Sequence, residues 1–487
     1  MSDPSEHQLQ NAASQDAATR FDATSLAAAA NGDLLRSGTD PISGGAVDSR
    51  LVTEGVVFWA LPGEHTDGHR FLEQAVESGA GALIISKDLP ADRLDALSAA
   101  GRVTIIGVAD VAIALRAVAA RFRDRFDPLV VGITGSLAKT STKEQVAEVL
   151  EERFETLRNP ANWNNEIGLP MTLLRLRPEH EVAVLEMGLY TTGEIALLAS
   201  LARPSIGVVT AVRGVHLSRA GSIEAIEAGK RELVEALPPD GWAVLNADDV
   251  RVRRMAAHTT AQVLTYGFAD DADVRATGVV SLGTEGMRFT LHMAAGRYEV
   301  STPVLGRHGV HNALAAVAVA VCAGLDSAEI IAGLARPLRM PHRSQLVRAG
   351  AWTVLDDSYN ASPDAVLAAL FLLAELPGRH IAVLGEMLEL GAGAEPEHRR
   401  VGEQAAALTD RLIVVGEGAR AMAEGAVAQG LDASAVQFAA DRDEALALLL
   451  AELQDGDTVL VKASRGAALD LLVERLVSVA ERGEVES

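Results

Sequence analysis

Apolar residues fall along this chain in short runs separated by segments of helical spacing. The runs VVFWAL (Val56 to Leu61), GALIIS (Gly81 to Ser86) and VTIIGV (Val103 to Val108) alternate with stretches such as FLEQAVES, the rhythm of a small α/β unit. An Arg-rich helical stretch, ALRAVAARFRDRFD, ends at Pro128 and places a boundary near residue 126. A second series begins with LVVGITGS and continues through VAVLEMG, IGVVTAV and WAVLNADD. Its repetition predicts a mainly parallel sheet covered by helices. From about Val274 to Pro303 the pattern changes to alternating polar and apolar positions (MRFTLHM, RYEVSTPV), which predicts an antiparallel hairpin region followed by the helix HNALAAVAVAVCAGL. A third series, WTVLDD, HIAVLGEM, RLIVVGEG and DTVLVKAS, reads as a doubly wound sheet, although no GxGxxG fingerprint opens it.

These patterns predict three α/β units over 1–126, 127–337 and 338–487, in line with the prior for a chain of 487 residues. The polar opening segment to about Asp16 is expected to fray. Hydrophobic residues make up 48% of the chain and charged residues 22%, enough apolar material for each unit to bury a core. The net charge of -23 argues against a broad nucleic-acid surface or an anionic membrane face. No basic and apolar leader opens the sequence, and no apolar stretch approaches the ~20 residues of a membrane span. The expected address is the cytoplasm. The single cysteine, Cys322, excludes an intrachain disulfide and a zinc site built on cysteines, and its apolar surroundings suit a core position.

Only five of the 43 basic residues are lysine: Lys87, Lys139, Lys143, Lys230 and Lys462. Ammonium and guanidinium do different chemistry, so each retained lysine invites a question. Lys139 closes the segment GITGSLAKTST, in which an apolar strand runs through a glycine turn into a helix. Backbone N–H groups of such a turn (Gly135, Ser136) and the helix N-terminus with Ser141 can hold phosphates. Lys139 would then reach the outer phosphates and Thr140 would ligate Mg²⁺. The competing reading is an ordinary strand-turn-helix corner, favoured by Ala138 standing where glycine would let backbone approach a phosphate. Glu186, in VLEMG, ends an apolar strand where a carboxylate could hold Mg²⁺. His216 follows the strand IGVVT at a matching position, although a lone histidine is more often a hydrogen-bonded structural residue. Lys230 sits in SIEAIEAGKRELVEAL, where Glu224, Glu227 and Glu232 could simply pair with it.

The joint order of these segments resembles the Mur ligase superfamily over nearly the whole chain. The resemblance rests on Asp48-Ser49-Arg50 and GEHTDGHRF in the first unit. In the second it rests on GITGSLAKTSTKE, NWNNEIGLP, LEMG, the His216 segment, AGKRELV, LNADD and GRHGVHNALAA. In the third it rests on DDSYNASPDA, LGEMLELG followed by His398, and LVKASRG. Within the superfamily, DSYNASP together with LGEMLELG is similar to the MurF type, and the DNPR-like and YAHTPD-like signatures of the MurE type are missing.

That resemblance implies a central P-loop-type ATPase unit, a C-terminal Rossmann-like unit and a smaller N-terminal unit that binds a uridine nucleotide. It implies ATP-dependent addition of D-alanyl-D-alanine to UDP-N-acetylmuramoyl-tripeptide through an acyl phosphate, with two Mg²⁺ sites, by a monomer in peptidoglycan synthesis. Lys139 and Thr140 would hold the β and γ phosphates and the first Mg²⁺, while Glu186 and His216 would bind metal nearer the reacting carboxylate. Lys230 matches a lysine carbamylated by CO₂ into a carboxylate-like metal ligand, and Asn312 matches a residue near adenine. Arg343 and Asp357 would complete the nucleotide site, with Tyr359, Asn360 and Lys462 on the substrate; Ser49 and Arg50 would serve the UDP end. The departures cluster at the phosphate loop (Leu137, Ala138), the metal loop (Arg213, Ser218) and Tyr190-Thr191. Two other readings stay open: an amide ligase for a different carboxylate and amine, and a catalytically weakened nucleotide-binding scaffold.

Overall fold

A computed structural model describes residues 17–63, 66–214, 221–338 and 340–482. Its first sheet comprises β1 (Arg20–Phe21), β2 (Asp33–Arg36), β3 (Ile42–Ala46), β4 (Val56–Trp59), β5 (Ala82–Ile85) and β6 (Thr104–Gly107). The order is β1-β3-β4-β5-β6-β2, parallel from β3 to β6 with antiparallel strands at both edges. The three apolar runs expected as strands are β4, β5 and β6. The short, more polar edge strands carried no such signal because an edge strand buries only part of its surface.

The second sheet holds β7 (Leu129–Thr134), β8 (Thr156–Arg158), β9 (Val182–Glu186), β10 (Ile206–Val209), β11 (Trp242–Asn246), β12 (Gln262–Gly267), β13 (Val274–Ser281), β14 (Met287–Met293) and β15 (Gly296–Thr302). Their order is β15-β14-β13-β12-β11-β10-β7-β9-β8. The six strands β7 to β12 run parallel, and β13, β14 and β15 form the antiparallel extension that the alternating pattern predicts. Strands β7, β9, β10 and β11 are buried on both faces, which explains their continuous apolar runs. One face is covered by helix Gly306–Cys322, whose buried stretch from Ala313 to Ala320 contains mostly alanine and valine. These small side chains let the helix sit close to both the sheet and helix Lys139–Leu150. On the other face, Leu198 and Ala202 of helix Glu194–Ala202 share one apolar core with Val118 and Phe122 of helix Val111–Arg123, joining the first unit to the second.

The third sheet, β16 (Gln345–Ala349), β17 (Trp352–Asp356), β18 (His380–Gly385), β19 (Arg411–Val415), β20 (Val436–Ala439) and β21 (Thr458–Lys462), has the order β16-β17-β21-β18-β19-β20. It is parallel except for β16 and is packed on both faces by separate apolar clusters. Among the described residues no helix is long and apolar enough to cross a membrane.

Candidate active site

The C-terminal ends of β11, β10, β7 and β9 lie side by side, and the loops that leave them converge. After β7 the chain turns through Gly135 to Ala138 and enters helix Lys139–Leu150. Glycine is required at 135: its φ is 153°, and a Cβ there would stand 1.8 Å from Thr210 Oγ1. The turn is braced by the loop after β10. Ser136 N donates to Ala211 O at 2.7 Å, Thr210 Oγ1 donates to Leu137 O at 2.6 Å, and Ser136 Oγ donates to Arg213 O at 3.0 Å. Ala138 adopts φ 63° and ψ 6°, the left-handed region, with its methyl group exposed. An L-residue held there carries strain of about 1–2 kcal/mol.

The first turn of that helix presents backbone N–H groups that lack intrahelical partners at the positive end of its dipole, an arrangement that suits phosphate. Lys139 Nζ donates to Gly135 O at 2.8 Å, beside this opening. Its pKa is lowered by burial and by the Arg343 charge, with Glu186 opposing the shift. Thr140 donates its hydroxyl to Glu186 Oε2 at 2.7 Å, and Ser141 is half-buried on the same turn. Lys143, another of the five lysines, is wholly buried, and its ammonium ties down the carbonyl of Asn159 at 2.6 Å and the Glu144 carboxylate at 2.8 Å.

Glu186 is 1% exposed and is positioned by two residues that the sequence did not single out. Asn164 donates its amide to Glu186 Oε1 at 2.7 Å. Asn159 accepts from Glu186 N at 2.9 Å and donates to Glu186 O at 3.1 Å. Gly188 allows the approach, since a Cβ there would meet Asn164 Oδ1 at 2.8 Å. Both asparagines belong to RNPANWNN; Asn164 lies in the NWNNEIGLP segment that carried the family resemblance, though neither asparagine was assigned a role from the sequence.

Lys230 is 3% exposed, and its pKa falls well below the ordinary lysine value through burial, with the Lys139 charge adding to the shift. The glutamates that could have paired with it are engaged elsewhere. Glu224 and Glu227 bind Arg251 at 3.3 and 2.6 Å, and Glu232 accepts from the backbone of Gly193 and Ala196. Among the described residues none forms an ion pair with Lys230, so the salt-bridge reading of this lysine fails. His216 and Ser218 lie outside the described residues.

Asn312 is buried and accepts from Thr142 Oγ1 at 3.5 Å, placing it beside the phosphate-loop helix. Its neighbour His311 contacts Asn246 Oδ1 at 3.1 Å and Asp248 Oδ2 at 3.3 Å, so LNADD and GVHNALAA meet across the end of β11. In the third unit Lys462 Nζ pairs with Asp357 Oδ2 at 2.5 Å and donates to Asn360 O at 2.9 Å. Ser344 N donates to Asp357 Oδ1 at 3.0 Å, and the Arg343 guanidinium lies 4.0 Å from the Tyr359 ring centre. His308 Nε2 lies 3.3 Å from Ser344 Oγ, and Arg213 bridges Asp249 at 2.5 Å and Asp364 at 3.7 Å, linking the second and third units beside the loop. His398 braces the LGEMLELG turn, accepting from Met387 N at 2.9 Å with Nδ1 placed 2.7 Å from Ala394 O.

The first-unit residues are not brought to the phosphate loop. Ser49 is buried and donates to Gln74 Oε1 at 2.9 Å, whereas Arg50 is exposed and pairs with Asp48 at 2.6 Å. In the DGH segment Asp67 accepts from His69 N at 3.0 Å and pairs with Lys87, and Ser86 N donates to His69 Nε2 at 2.9 Å.

The loop, carboxylate and buried lysine occur in the order of one protein family, and comparison with known proteins decides the matter. Three family models match in sequence: the Mur ligase family, catalytic domain over 41–123, the Mur ligase middle domain over 133–320, and the Mur ligase, glutamate ligase domain over 342–465. A UDP-N-acetylmuramoyl-tripeptide–D-alanyl-D-alanine ligase of Mycobacterium tuberculosis is 41% identical over 467 residues, covering 88% of this chain and 91% of that one. This chain belongs to the Mur ligase family, MurF type. The crystal structure of MurF from Acinetobacter baumannii superposes with a TM-score of 0.84 at 29% identity, over 94% of this chain and 99% of that one. MurF ligase from Thermotoga maritima in complex with ADP gives a TM-score of 0.78 at 27% identity, over 91% and 98%. In this chain the residue that enters the phosphate-loop helix in the left-handed conformation is Ala138, not a glycine.

Proposed function

We propose that this protein is an ATP-dependent ligase that joins D-alanyl-D-alanine to UDP-N-acetylmuramoyl-tripeptide in peptidoglycan synthesis, and so serves cell-wall growth, cell shape and division. One observation carries the reading furthest. The phosphate loop, the paired Thr140 and Glu186, and a buried Lys230 that feels the Lys139 charge and has no acidic partner among the described residues occur together in a chain 41% identical to such a ligase.

The chemistry follows from the charges. The tripeptide carboxylate attacks the γ-phosphorus of ATP and ADP departs, leaving an acyl phosphate. The amine of D-alanyl-D-alanine then adds to the acyl carbon, and phosphate leaves as the tetrahedral intermediate collapses. An anion attacking a polyanion needs fixed positive charge and donors above all. In this reading the helix N-terminus with Gly135, Ser136 and Ser141 cradles the phosphates, Lys139 neutralises the outer ones, and Asn312 lies towards the base. Arg343 and Asp357, from the third unit, complete the nucleotide site, while Tyr359, Asn360 and Lys462 meet the incoming substrate. Ser49 and Arg50, in the first unit, serve the UDP end.

The donor set suits Mg²⁺. Thr140 and Glu186 present hard oxygen donors, and Mg²⁺ is commonly held by one or two carboxylates together with substrate phosphates and water. Among the described residues no cluster of three or more His, Cys, Asp or Glu side chains forms a ready-made cage, which fits an ion held partly by ATP. When bound, the ion offsets charge on the phosphates. A second site would draw on Glu186, His216 and Lys230 as its carbamate. Burial, with the Lys139 charge adding to it, favours the neutral amine of Lys230, the form that can add to CO₂, and arginine cannot do the same.

The same reading places the enzyme in the cytoplasm as a monomer, with unit boundaries near residues 126 and 337. It is tested by phosphate release from ATP with UDP-linked tripeptide and D-alanyl-D-alanine, with the product identified by mass spectrometry. The expected result is one ADP and one phosphate per amide bond formed. Turnover only with another acid or amine would move the reading to a sibling activity, and nucleotide binding without any turnover would leave only the scaffold.

A further inference from the structure

Lys143 lies three residues beyond Thr140 and four beyond Lys139, one turn deeper on the same side of helix Lys139–Leu150, and it is wholly buried. A buried ammonium is costly unless each of its three N–H groups finds an acceptor. Three acceptors surround its Nζ: Asn159 O at 2.6 Å, Ala161 O at 3.2 Å and Glu144 Oε1 at 2.8 Å. The Glu144 carboxylate is itself anchored, its other oxygen 3.1 Å from Arg158 Nη1. No single guanidinium nitrogen carries three N–H groups, which gives a reason for lysine at this position in a chain that otherwise favours arginine.

Two of the three acceptors are backbone carbonyls of the short segment after β8. Ala161 in that segment is exposed and holds φ 45°, the left-handed region, so the turn runs against local preference and needs bonds from outside to keep it. The same segment holds Glu186. Asn159, also wholly buried, accepts from Glu186 N at 2.9 Å and donates to Glu186 O at 3.1 Å. Asn164 donates its amide to Glu186 Oε1 at 2.7 Å, and its carbonyl accepts from Gly188 N at 2.8 Å. The helix therefore grips Glu186 twice. Thr140 bonds Oε2 directly, whereas Lys143 acts on Oε1 and on the backbone through the segment 159–164.

We propose that Lys143 is a positioning residue for Glu186: its ammonium fixes the segment 159–164, and that segment sets the direction in which Glu186 offers its carboxylate to Mg²⁺. The proposal rests on the ligase reading, which gives Glu186 to the metal. Lys143 touches neither nucleotide nor metal in this role, because its three N–H groups are engaged by protein acceptors.

The test is the affinity of the full chain for β,γ-methylene-ATP, measured by isothermal titration calorimetry with excess Mg²⁺ and with EDTA, for the wild type, Lys143→Met and Lys143→Arg. Mg²⁺ should tighten binding to the wild-type protein. Lys143→Met should lower that gain by about tenfold, the scale of losing a group that orients a metal ligand, while its affinity in EDTA stays within twofold of the wild-type value. Lys143→Arg should do no better. An unchanged Mg²⁺ gain in Lys143→Met would confine the lysine to the fold, an equal loss with and without Mg²⁺ would assign it to the helix, and recovery with arginine would assign it to charge alone; each result would overturn the inference. Should Lys143→Met not fold, the measurement passes to the same change combined with Ala161→Gly, which relieves the left-handed turn, and failure of that protein to fold would also overturn the inference. A wild-type protein indifferent to Mg²⁺ would remove the metal role of Glu186, and this inference with it. Wild-type turnover of UDP-linked tripeptide and D-alanyl-D-alanine is followed alongside: its absence would remove the ligase reading, a result distinct from any change in the Mg²⁺ gain.

Discussion

Replacing Ala138 by glycine should stabilise the protein without improving its grip on ATP. Ala138 holds φ 63° and ψ 6° at the entry to helix Lys139–Leu150, its methyl group is exposed, and its carbonyl accepts from Thr142 N at 2.8 Å. Removing the methyl group therefore forfeits no packing and no hydrogen bond. It relieves about 1–2 kcal/mol of left-handed strain in the folded state. Against this, glycine widens the unfolded ensemble at a cost of about 0.4–1 kcal/mol. The net expectation is a gain of about 0.5–1 kcal/mol, or about 1–4 °C in the melting transition of a unit of roughly 200 residues. The turn is held by Thr210, Ala211 and Arg213 whichever residue stands at 138, so the KM for ATP should change by less than twofold. Differential scanning calorimetry and ATP-saturation kinetics on the two proteins check both parts. A lower melting temperature, or a tenfold fall in KM with no gain in stability, would refute the reasoning, because the strain would then be released on nucleotide binding and not stored in the fold.

Three other outcomes are expected. Lys230→Ala should lower kcat by about a hundredfold or more, the scale of losing one charge-organising group at a reacting centre, and Lys230→Arg should do no better; recovery of activity with arginine would remove the carbamate role. Burial pushes the Cys322 thiol up to about 12, so at pH 8 its alkylation in the native protein should be slower by about a thousandfold than in urea, and comparable rates would show the site to be open. The His342 ring sits 2.8 Å from Asp356 Oδ2, and this hydrogen bond raises its pKa, with burial opposing, the Asp356 and Asp470 charges assisting and the Arg465 charge opposing. Its contribution to stability is fully present below the unfolded histidine value of about 6.5 and is lost as pH rises through the raised native value. The melting-temperature advantage of the wild-type protein over His342→Gln should accordingly shrink between pH 6 and pH 9, and an advantage that grows with pH would contradict the pairing.

Much of this molecule could be read from its residues. Apolar runs of four to six residues, buried on both faces, marked the parallel strands because such strands leave no polar alternation to confuse the period. The alternating stretch after Val274 marked the antiparallel extension for the opposite reason. The scarcity of lysine drew attention to Lys139, Lys230 and Lys462, since a chain that supplies its positive charge with arginine keeps an ammonium where compact charge or amine chemistry is needed. What sequence could not supply were relations across the sheet. Whether Lys230 faced its neighbouring glutamates depended on Arg251 and on the backbone of Gly193 and Ala196, which draw those carboxylates away. Asn159 and Asn164 reach Glu186 because β8 and β9 are paired, a contact between residues 27 and 22 positions apart. The conformation of Ala138 was open until the loops after β7 and β10 were seen bonded together. Local chemistry is written in the order of residues, whereas the groups that hold a carboxylate, isolate an amine or strain a turn are chosen by which strands lie side by side, and only the folded sheet settles that.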